Sequence, residues 1–288
     1  MLALGKGLTS MQEIETGSFV RPRLIVGTPD SIRIVSWNIN RGLQLQKVID
    51  FLEGARADLV LLQESDVNAR RTHHLNIARE IAQKLQMNYF FGREFQELTQ
   101  GSRTSPAYHG QATLSRWRLS GARILRFRQQ SNFWRPHWFL PQVAPFQERL
   151  GGRLALAVEA DVAGKRVITY NLHLESRGDD GLRCAQLRET LDDAGRYDAT
   201  VPIVLGGDLN LDVSEGAEAT ALSQSGFQDA FVNHHVSTTP DSLLEKGRLI
   251  DWIFTRGPAQ ASEPKVHSSV KASDHYPLSI TVKFSKDV

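Results

Sequence analysis

The clearest chemical signal in the chain is the pair Asp208 and Asn210, which closes the stretch Val201-Pro202-Ile203-Val204-Leu205-Gly206-Gly207-Asp208-Leu209-Asn210. The carboxylate can accept a proton or hold a water. The carboxamide two residues on can donate to a phosphoryl oxygen while its carbonyl accepts from water. Taken alone, Gly-Asp-x-Asn reads more simply as a turn closed by an Asx hydrogen bond. Partners elsewhere decide between the readings, and the chain supplies several: Asn38, Glu64, His173, Asp251, Asp274 and His275, each at or near the end of an apolar run.

Those runs predict the elements that must position them. Ser31 to Trp37 alternates apolar and polar residues as a half-buried strand does, and it delivers Asn38. Leu45, Val48, Ile49 and Leu52 share one face of a helix that stops at Gly54, and Asp58 to Gln63 is a continuous apolar strand ending in Glu64. Ile77, Ile81 and Leu85 mark a second helix, so the order is strand, helix, strand, helix, which predicts an α/β layered domain. From Gly92 to Gly110 the sequence turns polar and reads as a long surface loop, before a short strand at Gln111 to Arg116.

Leu154 to Ala160 and Arg166 to Leu174 form a hairpin pair delivering His173, and 178–195 reads as a helix with Leu187 and Leu191 inward. His173 by itself is open to the reading of a hydrogen-bonded core histidine. The Val201 strand follows, with its two glycines placed in a tight turn at its end. Arg248 to Phe254 is a strand carrying Asp251 among apolar neighbours, which is costly unless the acid is paired, and His275 is the expected partner. His234-His235 resembles a metal pair, but adjacent residues on a strand point to opposite faces, which favours a solvated loop.

Composition narrows the function classes. The 288 residues carry 34 Lys+Arg against 32 Asp+Glu, so there is no global polyanion signal and any nucleic-acid contact must come from a local patch. One such patch runs from Arg126 to Arg149, where Arg126, Arg128, Arg135 and Arg149 interleave with Phe127, Phe133, Trp134, Trp138, Phe139 and Phe146. Arginines among flat aromatics can hold phosphates and stack bases, can dock on lipid headgroups, or can simply plug a loop into the core. The single cysteine, Cys184, excludes an intrachain disulfide and fits a reducing compartment, and no apolar stretch approaches a membrane span. The expectation is a cytoplasmic protein with no transmembrane segment and with no signal for oligomeric state. Residues 1–30 lack periodicity and read as a loosely held N-terminal arm, with a single domain over 31–288.

The ordered set Trp37-Asn38-Ile39, Leu62-Gln63-Glu64, Leu172-His173-Leu174, Gly207-Asp208-Leu209-Asn210, Ile250-Asp251-Trp252-Ile253 and Ser273-Asp274-His275-Tyr276-Pro277 resembles the endonuclease/exonuclease/phosphatase superfamily from about residue 31 to 284. The resemblance implies a four-layer α/β sandwich of two mixed, mainly antiparallel sheets flanked by helices, with the active site at one edge. It also implies a metal-dependent phosphodiesterase, with Glu64 as principal metal ligand and Asn38 and Asp274 nearby. Those hard oxygen donors, with no Cys/His cluster, suit Mg²⁺ or Mn²⁺ rather than zinc. In the same scheme Asp208 orients or deprotonates water, Asn210 contacts the phosphate and His173 donates to a non-bridging oxygen. Asp251 favours the imidazolium of His275, and either Asp208 or His275 is the base.

Leu172-His173-Leu174-Glu175-Ser176-Arg177, Arg183-x-x-Gln186 and Trp37-Asn38-Ile39-Asn40 are similar to the 5′-tyrosyl-DNA phosphodiesterases. That similarity makes Ser176, Arg177 and Asn40 candidate substrate contacts. Ser176 as a helix cap, and Arg183 with Gln186 as a tie between helix and sheet, stay open beside it. Nucleic acid is the leading substrate class. A phosphoinositide or sphingolipid, reached by Trp134, Trp138 and Phe139 dipping into an interface, is the alternative. A silent binding module is disfavoured because none of these positions holds an inert residue.

Overall fold

Alternation along one strand explains most of the architecture. In β2, Val35, Trp37 and Ile39 point to one side and Ile32, Ile34, Ser36 and Asn38 to the other, so the second face changes from apolar to polar along its length. A computed structural model describes residues 13–20, 31–131, 133, 139–141, 146 and 148–284. In chain order it contains β1 (Ile14–Ser18), β2 (Ser31–Arg41), α1 (Leu45–Gly54), β3 (Leu59–Val67), α2 (Ile77–Leu85), β4 (Asn88–Glu97), β5 (Ala107–Ser115) and β6 (Arg118–Arg126). There follow β7 (Arg149–Gly151), β8 (Leu154–Val162), β9 (Lys165–His173), α3 (Asp180–Ala194), β10 (Ile203–Asp208), α4 (Gly216–Gln224), β11 (Gln228–Asp229), β12 (Asp251–Arg256), β13 (Ala259–Val266) and β14 (Leu278–Phe284).

These strands form two sheets, one of order β1-β4-β5-β3-β2-β14-β13 with β7 beside β4, the other of order β11-β12-β10-β9-β8-β6. Parallel pairing occurs at β2–β3 and β9–β10, and the remaining pairs are antiparallel, as the resemblance implies. Helices α1 and α2 pack Val48, Leu52, Ile77 and Ile81 on the outer face of the first sheet, and α3 packs Leu187 and Leu191 on the outer face of the second. Between the sheets, Ile32, Ile34, Leu59 and Leu61 meet Val167, Val204 and Ile253. The result is a four-layer α/β sandwich.

The layer between the sheets is apolar at one end and polar at the other. Leu61 gives way to Gln63, Val167 to Thr169, Asn171 and His173, and Ile253 to Asp251. Gln63 Nε2 donates to Asn171 Oδ1 across the gap at 2.7 Å, so the polar end is bridged by hydrogen bonds where the other end is closed by side-chain packing.

Four local expectations are corrected. Gly206 and Gly207 do not form a turn: they lie inside β10, in register with β9 and β12. Gly207 has φ +144 and a Cβ there would sit 1.9 Å from Leu172 O, so the residue is needed for close backbone approach. Asn38 and Glu64 do not end their strands. Both sit at register shifts, Asn38/Arg41 and Leu62/Ser65, and their strands continue beyond. The supposed loop 92–110 is strand at both ends, β4 to Glu97 and β5 from Ala107, and only 98–106 is loop; the buried Glu94 and Glu97 disguise the first strand. In the arm, Ile14–Ser18 pairs with β4 as an edge strand rather than lying loose. The strands β6 and β13 also escaped the sequence reading.

Candidate active site

Three neighbouring strands of the second sheet carry His173, Asp208 and Asp251 in direct register, all facing the other sheet at its polar end. Asn38 comes from the opposite sheet. Its Nδ2 donates to Asp208 Oδ2 at 3.0 Å, and its Oδ1 accepts the Asn40 N–H at 3.1 Å. Asp208 Oδ1 accepts the Asn210 N–H at 2.9 Å, so the Asx turn is real and also aims the second oxygen into the site. Asp208 Oδ2 is 3.6 Å from His173 Nε2 and 3.7 Å from His275 Nε2, which places one carboxylate oxygen between two imidazoles and an amide.

The expected partnership of Asp251 is present. His275 Nδ1 lies 2.9 Å from Asp251 Oδ2, and Thr238 Oγ1 donates to the same oxygen at 2.7 Å. Burial alone would lower the His275 pKa, but the charges of Asp251, then Asp208, and the hydrogen bond outweigh it and push it up to about 10. Burial raises Asp251 as well, with the like charge of Asp208 adding to it against the opposing pull of His275. The pair therefore retains a proton at neutral pH, and the imidazole holds it because it faces both carboxylates. Trp37 Nε1 donates to His275 O at 2.9 Å, and the Ser273 hydroxyl to Asn38 O at 2.7 Å, fixing the approach to β14 against β2.

Glu64 sits at the bulge in β3 with φ 55, a left-handed conformation that a glutamate adopts only at some cost. Bulges re-aim side chains beside active sites, and this one turns Glu64 out of the strand's alternation. Burial would raise its pKa, but the basic side chains of His109, His173, Arg41 and Arg153 hold the carboxyl well below the usual carboxylate range. Arg41 Nη1 is 3.9 Å away, and among the described residues the Glu64 carboxylate accepts no hydrogen bond. An ionised carboxylate with free lone pairs fits a hard divalent cation.

The remaining candidates are distributed less simply. Asp274 is exposed and takes a hydrogen bond from Ser273 Oγ at 3.1 Å. Among the described residues the only cluster of three donor groups is Asp208, Asp251 and His275, so Glu64 and Asp274 do not close a tight ligand cage. Asn40 Oδ1 accepts from Arg41 Nη1 at 2.7 Å, and Asn210 Nδ2 donates to Leu174 O at 3.2 Å. Ser176 is not the cap of α3: Asp179 is, accepting the Leu182 N–H, while Ser176 Oγ accepts from Arg153 Nη2 at 2.9 Å. Arg177 is exposed, its guanidinium 5.0 Å over the Phe133 ring. Arg183 donates to Glu175 O and Gly178 O, and Gln186 accepts the Glu175 N–H, so these two residues tie α3 to the end of β9.

His235 bonds Asp229 and sets its ring edge on Trp252, away from any metal cluster among the described residues. Trp134, Arg135 and Trp138 lie outside the described residues. Arg153, Glu94 and Thr238 take part in the site and escaped the sequence reading. Only Arg153 carried a signal, as a cation placed just before an otherwise apolar strand.

A mixed two-sheet sandwich with acids, amides and imidazoles at the polar end of its inner layer defines a four-layer α/β class of protein. Residues 35–275 match the model of the Endonuclease/Exonuclease/phosphatase family, and the chain belongs to it. A search of the sequence against curated proteins finds no significant match. Among solved structures, the chain is similar to an endonuclease/exonuclease/phosphatase from Beutenbergia cavernae, with 19% identity, TM-score 0.66, and 89% of this chain and 72% of that one covered. It is also similar to TDP2 from Caenorhabditis elegans, with 19% identity, TM-score 0.59, and 88% and 74% covered. The human Nocturnin catalytic domain with a bound sulfate anion gives 17% identity, TM-score 0.63, and 94% and 98% covered. At these identities the likeness is one of fold.

Proposed function

We propose that the protein is a divalent-metal-dependent phosphodiesterase acting on nucleic acid. The observation that carries the reading is the convergence of Asn38, His173 and His275 on Asp208 Oδ2, an oxygen at the junction of both sheets. Hydrolysis of a phosphodiester needs an oriented water, charge neutralisation on the phosphoryl oxygens, and a path for one proton. Asp208 orients the water and accepts its proton as the water oxygen bonds to phosphorus and the P–O bond to the leaving oxygen breaks. That proton is then available to the departing oxygen. His275, held as imidazolium by Asp251, and His173 donate to phosphoryl oxygens, with the second N–H of Asn210 as a further donor.

Glu64 and the free lone pair of Asn38 Oδ1, with Asp274 at the rim, would hold Mg²⁺ or Mn²⁺, which supplies neutralisation of phosphoryl charge. Ser176, Arg177 and Asn40 would contact the substrate. The Arg177–Phe133 pair offers a cation and a flat face side by side, which suits a phosphate next to a base. The same exposed Phe133, with Phe139 and Phe146, also suits a lipid interface, which keeps phosphoinositide or sphingolipid hydrolysis as the second reading.

The test is a metal-dependent activity screen over single-stranded DNA, duplex carrying a 5′-phosphotyrosine, RNA, sphingomyelin and phosphoinositides. Cleavage of any of the three nucleic acids supports the reading. Turnover of the lipids alone selects the second, and no turnover by folded protein rejects both.

A further inference from the structure

In the proposed reaction His173 offers a hydrogen-bond donor to the phosphoryl group, which requires the ring proton to be on Nε2. The structure contains a device that bears on this. His173 Nδ1, the nitrogen turned away from Asp208, lies 2.8 Å from Arg153 Nη1. A guanidinium has five donors and no acceptor, and it does not give up its proton in a protein. In this contact Nδ1 must therefore be the acceptor and carry no hydrogen, so the proton of the neutral ring is on Nε2. We propose that Arg153 is a positioning residue that locks His173 in the Nε2–H tautomer, aiming a donor at the phosphoryl group. The purpose of the lock rests on the phosphodiesterase reading. The tautomer itself does not.

Arg153 is held where this requires. It immediately precedes β8, whose first residue, Leu154, is in register with His173 on β9, so the hairpin sets the two side by side. Its Nη2 donates to Ser176 Oγ at 2.9 Å, and its backbone N–H goes to Gln130 Oε1 at 2.8 Å. Glu94 Oε2 is 3.5 Å from Nη1, Glu175 Oε1 is 4.0 Å from Nε, and all three charged side chains are buried. The guanidinium carbon lies 5.3 Å over the Phe95 ring. A lysine could supply the charge but not the fork that reaches His173 and Ser176 together.

Glu94 makes the competing state concrete. Its Oε2 is also 3.5 Å from His173 Nδ1 and has no hydrogen-bond partner among the described residues. Without Arg153, Nδ1 would take a proton and donate it to Glu94. The ring would then present a bare Nε2 to the substrate. Arg153 and Glu94 thus compete for one nitrogen, and the shorter contact of Arg153 decides the outcome.

The test is ¹⁵N spectroscopy of the full chain labelled at histidine, without metal or substrate at neutral pH, with His173 assigned from His173→Gln. The expected spectrum has an unprotonated Nδ1 and a protonated Nε2. In Arg153→Met, Glu94 stays in place to accept from Nδ1. That variant should show a protonated Nδ1 and a kcat lower by about 10- to 100-fold with KM little changed.

The proposal is overturned if wild-type His173 carries its proton on Nδ1 or on both nitrogens, or if Arg153→Met keeps the wild-type tautomer. Should Arg153→Met fail to fold, the wild-type spectrum decides. Because the spectrum is read without substrate, an absence of turnover would reject the functional reading and leave the tautomer assignment standing.

Discussion

Asn38 on β2 donates to Asp208 Oδ2 on β10 at 3.0 Å, joining residues 170 positions apart across the gap between the two sheets. The bond ties the site to the relative placement of the sheets, because neither sheet alone builds it. Each of the following outcomes tests one part of that construction.

Asp251→Asn should lower activity far more than stability. The carboxamide can keep the contacts to His275 and Thr238 but loses the charge that holds the imidazolium. Activity should fall by roughly 10²-fold or more, on the scale of losing a positioned acid–base partner. The denaturation midpoint should fall modestly, because the His275 imidazolium loses its main counter-charge while the desolvation cost of the buried Asp251 carboxylate is removed. Urea titration beside kcat measures both, and an unchanged kcat would contradict the account.

Glu64→Gln should weaken metal dependence without unfolding the chain. The substitution keeps shape and removes the ionised donor at the β3 bulge. The expected result is a higher Mg²⁺ or Mn²⁺ requirement and a rate lower by about 10²-fold or more at fixed metal, reflecting several kcal/mol of lost charge stabilisation. Metal titration of activity reads it directly.

Gly207→Ala should destabilise by about 2–4 kcal/mol, combining a positive φ with a backbone clash. The Cβ would meet Leu172 O at 1.9 Å, whereas Gly54, with nothing within 4 Å, is the matched control and should lose no stability as Gly54→Ala. Equal denaturation midpoints for the two variants would refute the close-approach reading.

His267 sets a pH window for stability. Burial, then Lys265 and Arg33, lower its pKa from 6.5 to about 4, so the folded chain refuses a proton that the unfolded chain accepts. Its contribution is fully present above 6.5, and it is lost as pH falls from about 6.5 to about 4. The stability of wild type should therefore drop relative to His267→Gln across that window. Urea midpoints of the pair at pH 7, 5.5 and 4 check it; a constant difference would contradict it.

The layering and the inward faces of β2, β3, β9 and β12 were legible because apolar alternation is a local property. Asp251 was legible as a paired acid for the same reason: a charge among apolar neighbours demands a partner. The bulge at Glu64 was not, because a left-handed glutamate has no residue-type signature and the shift arises from pairing with β2 and β5. The strand β4 was hidden by Glu94 and Glu97, whose partners Arg153, Arg149 and Arg71 come from other parts of the chain. Arg153 was missed because its role exists only through the β8–β9 hairpin register. Thr238 sits in a polar loop, where nothing local distinguishes a threonine that buttresses Asp251 from one that is solvated.

The central claim, that Asp208 at the meeting point of the two sheets is the group that activates water, is tested most directly by comparing Asp208→Asn with wild type. Both would be assayed on nucleic acid and on a bis-aryl phosphodiester with Mg²⁺ or Mn²⁺, and thermal midpoints recorded for the same preparations. The account predicts a loss of about 10²- to 10⁴-fold in turnover with a nearly unchanged midpoint. Turnover in the variant within a few-fold of wild type would contradict it.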